Sequence, residues 1–277
     1  MNAPGNRLRL RIRFVKLGKI RWTSHRDVAR MWERAFRRVQ LPLAYSEGFS
    51  PRPKISFGLA LSTGHESVAE YLDVELVALD GTNAGHAAVD GAVVDGASVD
   101  GAVVDGVVLP GLARRLSAAL PVGVDATAMA VLPPGSASLQ EEVGSCTWRW
   151  TAAPAEGSER WGAERVGSRV AEVLAAPRLE ITRTRKGTEV VEDVRPGIIS
   201  LEVVEEGAEG VVLSAELAAA PRSVRPADVL AALGLGLEER HVRRTSQWIL
   251  RHGARQEPLA ADPDSATEAP HALERAS

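Results

Sequence analysis

His25 sits in an arginine-rich stretch, "LRLRIRFVKLGKIRWTSHRDVARMWERAFRRVQ", residues 8–40. A histidine surrounded by phosphate-binding groups can act as a general base on a bound hydroxyl. A histidine that only helps to cap or position a helix accounts for the same residue. The run His25-Arg26-Asp27 also occurs in kinase catalytic loops. Here no downstream Asn, Asp-Phe-Gly or glycine-rich nucleotide loop accompanies it, which excludes that chemistry.

The arginines have a chemistry of their own. A guanidinium presents a planar fork of donors that matches phosphate oxygens, and an aromatic beside it can stack on a base. The candidates for phosphate contact are Arg11, Arg13, Arg30, Arg34 and Arg37, with Arg52 and Lys54 of "SPRPKISFG" beside Tyr45 and Phe49. A second set, Arg183, Arg185, Lys186 and Arg195, lies in "RTRKGTEVVEDVRPG". Solvated charge on loops and helix surfaces is the plainer account of the same residues. An RNA-recognition module of the aromatic-sheet type is not supported, because the arginine-bearing strand lacks its aromatic pair.

The net charge of -3 conceals a polarity. Residues 1–58 hold 14 Lys+Arg against Asp27, Glu33 and Glu47, a balance of +11, and the remainder carries -14. Such asymmetry points to an anionic partner for the basic part. The single cysteine, Cys146, excludes an intramolecular disulfide and a cysteine-only metal or iron–sulfur site; its strand-like context reads as a buried structural thiol. The six histidines are scattered and no His-Glu-x-x-His, Walker or dinucleotide motif occurs, which argues against a self-contained metalloenzyme or nucleotide hydrolase. No signal-like or membrane-spanning apolar run is present, so the expectation is a cytoplasmic protein without membrane association.

These groups need elements to hold them. Leu8, Leu10, Ile12 and Phe14 alternate with Arg7, Arg9, Arg11 and Arg13, a strand with one apolar and one arginine face. Four like charges on one face repel unless the face is solvated or meets anions. Thr23 or Ser24 can cap a helix whose buried stripe is Val28, Trp32, Ala35, Phe36 and Val39, leaving Arg26, Arg30, Arg34, Arg37 and Arg38 outside. Strands at 55–61 and in "VAEYLDVELVAL", a helix in "LPGLARRLSAAL" and a strand in "VDATAMAVL" complete a β-α-β-β-α-β order.

Between residues 80 and 107 the triplet VDG recurs every five residues, which reads as a low-complexity, disordered insertion. The expected fold is therefore α+β, with two ferredoxin-like units. The first covers 7–133 and is basic, the second covers 145–252, and a disordered tail follows at 253–277.

The stretch "RFVKLGKIRWTSHRDVARMWERAFRRVQLPLAYSEGFSPRPKISFGLALSTGHESVAEYLDVEL" closely resembles the opening of the radical SAM-linked family, bacterial proteins with a domain of unknown function. "RKGTEVVEDVRPGI" and "HVRRTSQWI" resemble its later blocks, whereas the VDG insertion and the tail lie outside it. The resemblance implies a radical SAM partner that carries the iron–sulfur cluster and S-adenosylmethionine, with no cofactor in this chain. "SHRDVARMWERAFRRVQLP…SEGFSPRP" is more loosely similar to the first ferredoxin-like unit of CRISPR Cas6-type RNA endonucleases, in which a histidine can act in cleavage. The leading expectation is an accessory subunit that presents a structured RNA such as tRNA to a radical SAM modification enzyme. Its rivals are a metal-independent endoribonuclease using His25 and a protein adaptor docked on the radical SAM partner.

Overall fold

The computed structural model describes residues 7–77, 103–104, 107–108, 111–185, 187–251 and 253–259. It is a mixed α+β structure of two compact units. Among the described residues, one unit takes those up to 64, 69–140 and 259, and the other takes 65–68 and 141–258. A serial division at about residue 140 is thus incomplete, since four residues from the first half belong to the second unit.

In the first unit the strands are β1 (Arg7–Lys16), β2 (Ile55–Phe57), β3 (Glu66–Val77) and, after two short paired strands β4 (Val103–Val104) and β5 (Val107–Val108), β6 (Val124–Leu132). The helices are α1 (His25–Arg38) and α2 (Leu112–Ala119). The sheet order is β2-β3-β1-β6, with β6 antiparallel to β1. Apart from β4 and β5, the VDG segment lies outside the described residues, and with it the expected disorder.

α1 starts where its cap permits. Ser24 Oγ accepts the Asp27 N–H at 3.2 Å and donates to Asp27 Oδ2 at 2.7 Å, so an otherwise orphaned helix donor is satisfied. Val28, Trp32, Ala35 and Phe36 are buried at the spacing of one helix face. They pack on Leu10, Ile12 and Phe14 of β1, with Phe14 edge-on to Trp32 at a ring separation of 5.1 Å.

The opposite face of β1 departs from the sequence reading. Every residue from Leu10 to Lys16 is buried, so the arginine face is covered rather than solvated. Its anions come from β3, where Leu72, Val74 and Leu76 join the apolar core and the alternate positions carry Asp73 and Glu75. Arg11 has no exposure and meets Asp73 through two bonds, Nε to Oδ1 at 2.8 Å and Nη2 to Oδ2 at 3.0 Å. Arg9 lies 3.7 Å from the same carboxylate and donates to the carbonyls of Ser136 and Ala137. Arg7 and Lys54 meet Glu75 at 3.6 and 3.2 Å. Arg13 is 8% exposed. Arg11 and Arg13 are therefore internal residues of the sheet, not phosphate donors.

The second unit runs from a single helical turn α3 (Leu139–Glu142), which begins in the first unit, through β7 (Val143–Pro154) and α4 (Ala163–Ala175). A hairpin of β8 (Glu180–Arg185) and β9 (Thr188–Asp193) comes next, then β10 (Ile198–Gly207), β11 (Gly210–Ala218), α5 (Pro226–Leu233), β12 (Leu237–Arg251) and β13 (Ala254–Gln256). The sheet order is β10-β11-β7-β12, and the β8–β9 hairpin forms its own small sheet. Leaving that hairpin and the short β13 aside, this unit repeats the β-α-β-β-α-β order of the first.

β9 and β13 are absent from the sequence reading. Residues 253–259 are part of the second unit and its neighbour rather than tail, with β13 paired to β12; the rest of the expected tail lies outside the described residues. Cys146 is buried in β7, as its context suggests. Among the described residues no helix is long and apolar enough to cross a membrane.

Because Arg11 is fully buried, Asp73→Ala leaves a guanidinium without its bidentate carboxylate and should cost about 3 to 5 kcal/mol of stability. Urea unfolding measures this, and the double variant Arg11→Met, Asp73→Leu should recover most of the loss.

Candidate functional site

With Arg11 paired to Asp73 inside the sheet, Arg13 buried beside it and Lys54 drawn to Glu75, the exposed arginine row of the first unit lies on α1. Arg26, Arg30, Arg34, Arg37 and Arg38 are exposed along it, over a rise of about 18 Å. Arg30 pairs with Asp27 at 3.3 Å and Arg37 with Glu33 at 3.4 Å, both in solvent, where such pairs hold their partners weakly. Arg34 and Arg26 have no ion-pair partner among the described residues. Arg38 donates to the Ala119 carbonyl at 3.2 Å.

The loop after α1 is pinched at its base. Ser46 N donates to Arg52 O at 2.9 Å, Arg52 N donates to Ser46 Oγ at 3.0 Å, and Tyr45 bridges to Pro53. Phe49 projects from it fully exposed and Tyr45 is 45% exposed, so both aromatics face solvent on a constrained loop. Arg52 is exposed beside them, while Lys54 is drawn to Glu75.

His25 is exposed at the first residue of α1, its ring edge-on to Phe57 at 5.0 Å. It borders a cleft walled by Lys16, Phe57, Glu70 and Tyr71. The internal volume is about 20 Å³, room for about one water molecule. Chemistry at His25 would therefore act outward, on a group held at the surface.

Two of the four candidates of the second unit, Arg183 and Arg195, hold the unit together. Arg183 places Nε and Nη2 on Asp228 at 3.0 and 2.6 Å and Nη1 on Glu192 at 2.8 Å, which clamps the β8–β9 hairpin to the start of α5. Arg195 donates to the carbonyls of Ile198 and Leu174 at 3.0 and 2.8 Å. Both guanidiniums are thus engaged within the unit. Arg185 ends β8, Lys186 lies outside the described residues, and the side-chain position of Arg185 is likewise outside them.

The sequence reading also missed a polar cluster of the second unit. His65 Nε2 lies 2.9 Å from Glu239 Oε1, its ring is edge-on to Trp148, and Arg244 lies over that indole at 5.3 Å. "GHES" marks the residues, but nothing local tells that 65–68 join the second unit.

The fold and this surface define a mixed α+β protein with one strongly basic helix. The chain belongs to a bacterial family described as uncharacterized protein conserved in bacteria (DUF2344), whose model matches residues 9–102 and 91–226. No curated protein matches it. Among solved structures it is similar to the crystal structure of a Cbf5-Nop10-Gar1 complex, with a TM-score of 0.41, 11% identity, and coverage of 85% of this chain and 48% of that chain. It is also similar to a structure of H/ACA RNP bound to a substrate RNA containing 2'-deoxyuridine, with a TM-score of 0.39, 11% identity, and coverage of 85% and 47%. The chain spans about half the length of the chains it matches.

Arg183→Ala should lower stability by about 2 to 3 kcal/mol, since it strips two carboxylates of charge-assisted bonds; urea melts check it. Asp193 gives a pH prediction. Its carboxylate accepts the Leu179 N–H at 2.9 Å and the Arg195 N–H at 3.0 Å, which hold it below the usual carboxylate range. A lowered folded-state value means stabilisation that is complete above the unfolded value of about 4 and lost as pH falls through the folded one. Asp193→Asn should therefore be less stable at neutral pH and lose less on acidification below about pH 4, read from urea midpoints across pH.

Proposed function

We propose that this protein is an accessory RNA-binding subunit that presents a structured RNA, such as tRNA, to a radical SAM modification enzyme. The observation that carries the reading is the exposed arginine row of α1. Arg7, Arg9 and Arg11 of β1 are engaged by Asp73 and Glu75 of β3, whereas the arginines of α1 face outward and can meet an anion of extended, repeating charge. Phosphates fit that requirement, and guanidinium forks bind them with directed bonds.

Arg30, Arg34, Arg37 and Arg52 take the phosphates, and Tyr45 and Phe49 supply aromatic surface beside them. The iron–sulfur cluster and S-adenosylmethionine reside on the partner, in keeping with the family resemblance and the one buried cysteine.

A second reading is favoured by His25, whose imidazole is exposed at the start of α1 and set by Phe57. In that reading His25 takes a 2′-hydroxyl proton and the protein cleaves RNA without a metal. Cleavage in EDTA by wild type that disappears in His25→Ala would establish it and displace the accessory role.

The phosphate assignment is tested by anisotropy titrations of labelled tRNA over a salt series. Arg34→Ala with Arg37→Ala should weaken binding and reduce the log–log salt slope by about 1 to 2, since each lost phosphate contact releases about one counterion fewer. An unchanged slope overturns the assignment, and binding to the radical SAM protein without RNA would make the chain a protein adaptor.

A further inference from the structure

Trp22 is the one exposed tryptophan among the described residues, at 65%, whereas Trp32, Trp148 and Trp150 are buried. It ends the 3-10 turn Gly18–Trp22, three residues before His25. An indole left out of the core would ordinarily sit on a mobile loop. Here the backbone on both sides is held.

The buried Lys16 donates from Nζ to the carbonyls of Arg21 and Thr23 at 3.1 and 3.3 Å. Gly64 N donates to the same Arg21 carbonyl at 2.8 Å. Thr23 N and Oγ1 both reach Ile20 O, at 3.0 and 2.7 Å. The indole itself rests close to Gly64, where φ is +90° and an added Cβ would lie 2.9 Å from a ring carbon. Glycine is required there twice over, for the backbone angle and for the close approach.

Basic side chains flank the ring. The Arg21 guanidinium lies over the indole, 5.5 Å from its centroid, and Lys19 and Arg26 are exposed on either side in the chain. Asp27, the neighbouring carboxylate, is engaged by Ser24 and Arg30. A rigid, exposed aromatic in a positive setting loses little freedom on binding a flat anionic ligand.

We propose that Trp22 is a stacking platform for an unpaired nucleobase, with the exposed Lys19 on a phosphate that flanks it. The inference rests on the RNA-binding reading and deepens it: the RNA must offer a single-stranded or splayed nucleotide beside α1. Base stacking on an aromatic tolerates any base, so the site selects unpaired structure rather than sequence.

The test uses the full chain, a labelled oligoadenylate of about 12 nucleotides, the same backbone without bases, and a perfect duplex. Trp22→Ala should weaken the unpaired oligomer about tenfold, as expected for loss of one stacked base. The salt slope, the abasic strand, the duplex and the urea midpoint should stay as in wild type. Trp22→Phe should retain most of the affinity, because the flat ring remains.

If Trp22→Ala binds the oligomer as wild type does while the Arg34 and Arg37 variants weaken, the RNA reading stands and the platform is overturned. Equal weakening on the abasic strand also overturns it, by assigning Trp22 to the backbone. If wild type binds none of the three ligands, the RNA reading falls and the platform with it.

Discussion

A guanidinium with no solvent exposure keeps its place only if a carboxylate reaches it with good geometry, because the desolvation cost of a lone buried charge exceeds what packing returns. Arg11 and Asp73 satisfy that condition with two short bonds between β1 and β3. Around them Arg9, Arg7 and Lys54 share Asp73 and Glu75, so a strand that looks like a phosphate-binding surface becomes the inner face of a sheet. These pairs engage the basic side chains of β1, and the exposed arginine row lies on α1.

The second unit uses the same physics for a different end. Arg183, between Asp228 and Glu192, joins a hairpin to a helix, and Arg195 closes a turn with two backbone carbonyls. A guanidinium has five donors in a fixed plane, which suits it both to phosphate and to this kind of structural clamp. Composition does not separate the two uses. Burial and partners do, and here they divide the basic residues into an internal set and an exposed row.

Much of the local structure was legible because its causes are local. The 3.6-residue spacing of Val28, Trp32 and Phe36 and the Ser24–Asp27 cap predict α1, and the alternation from Arg7 predicts β1. The strand at 179–185 matches β8, but its hairpin partner β9 was missed, since "TEVVED" sets two adjacent valines among acidic residues without an apolar alternation. β13 was missed because three exposed residues, Ala-Arg-Gln, carry no pattern that sets a strand apart from a tail.

The sequence by itself determined the alternation of β1, the cap and buried stripe of α1, and the concentration of basic charge in residues 1–58, all set by neighbours within a few positions. Only the tertiary structure decided which arginines are taken up by internal carboxylates. Arg11 and Asp73 are 62 positions apart and Arg183 and Asp228 are 45 apart, and a side chain's counter-charge is chosen by strand and helix packing rather than by spacing along the chain. Residues 65–68 follow the same logic: their membership of the second unit is set by Glu66 and Ser67 pairing with Arg243 and Arg244 of β12, a contact no local pattern encodes.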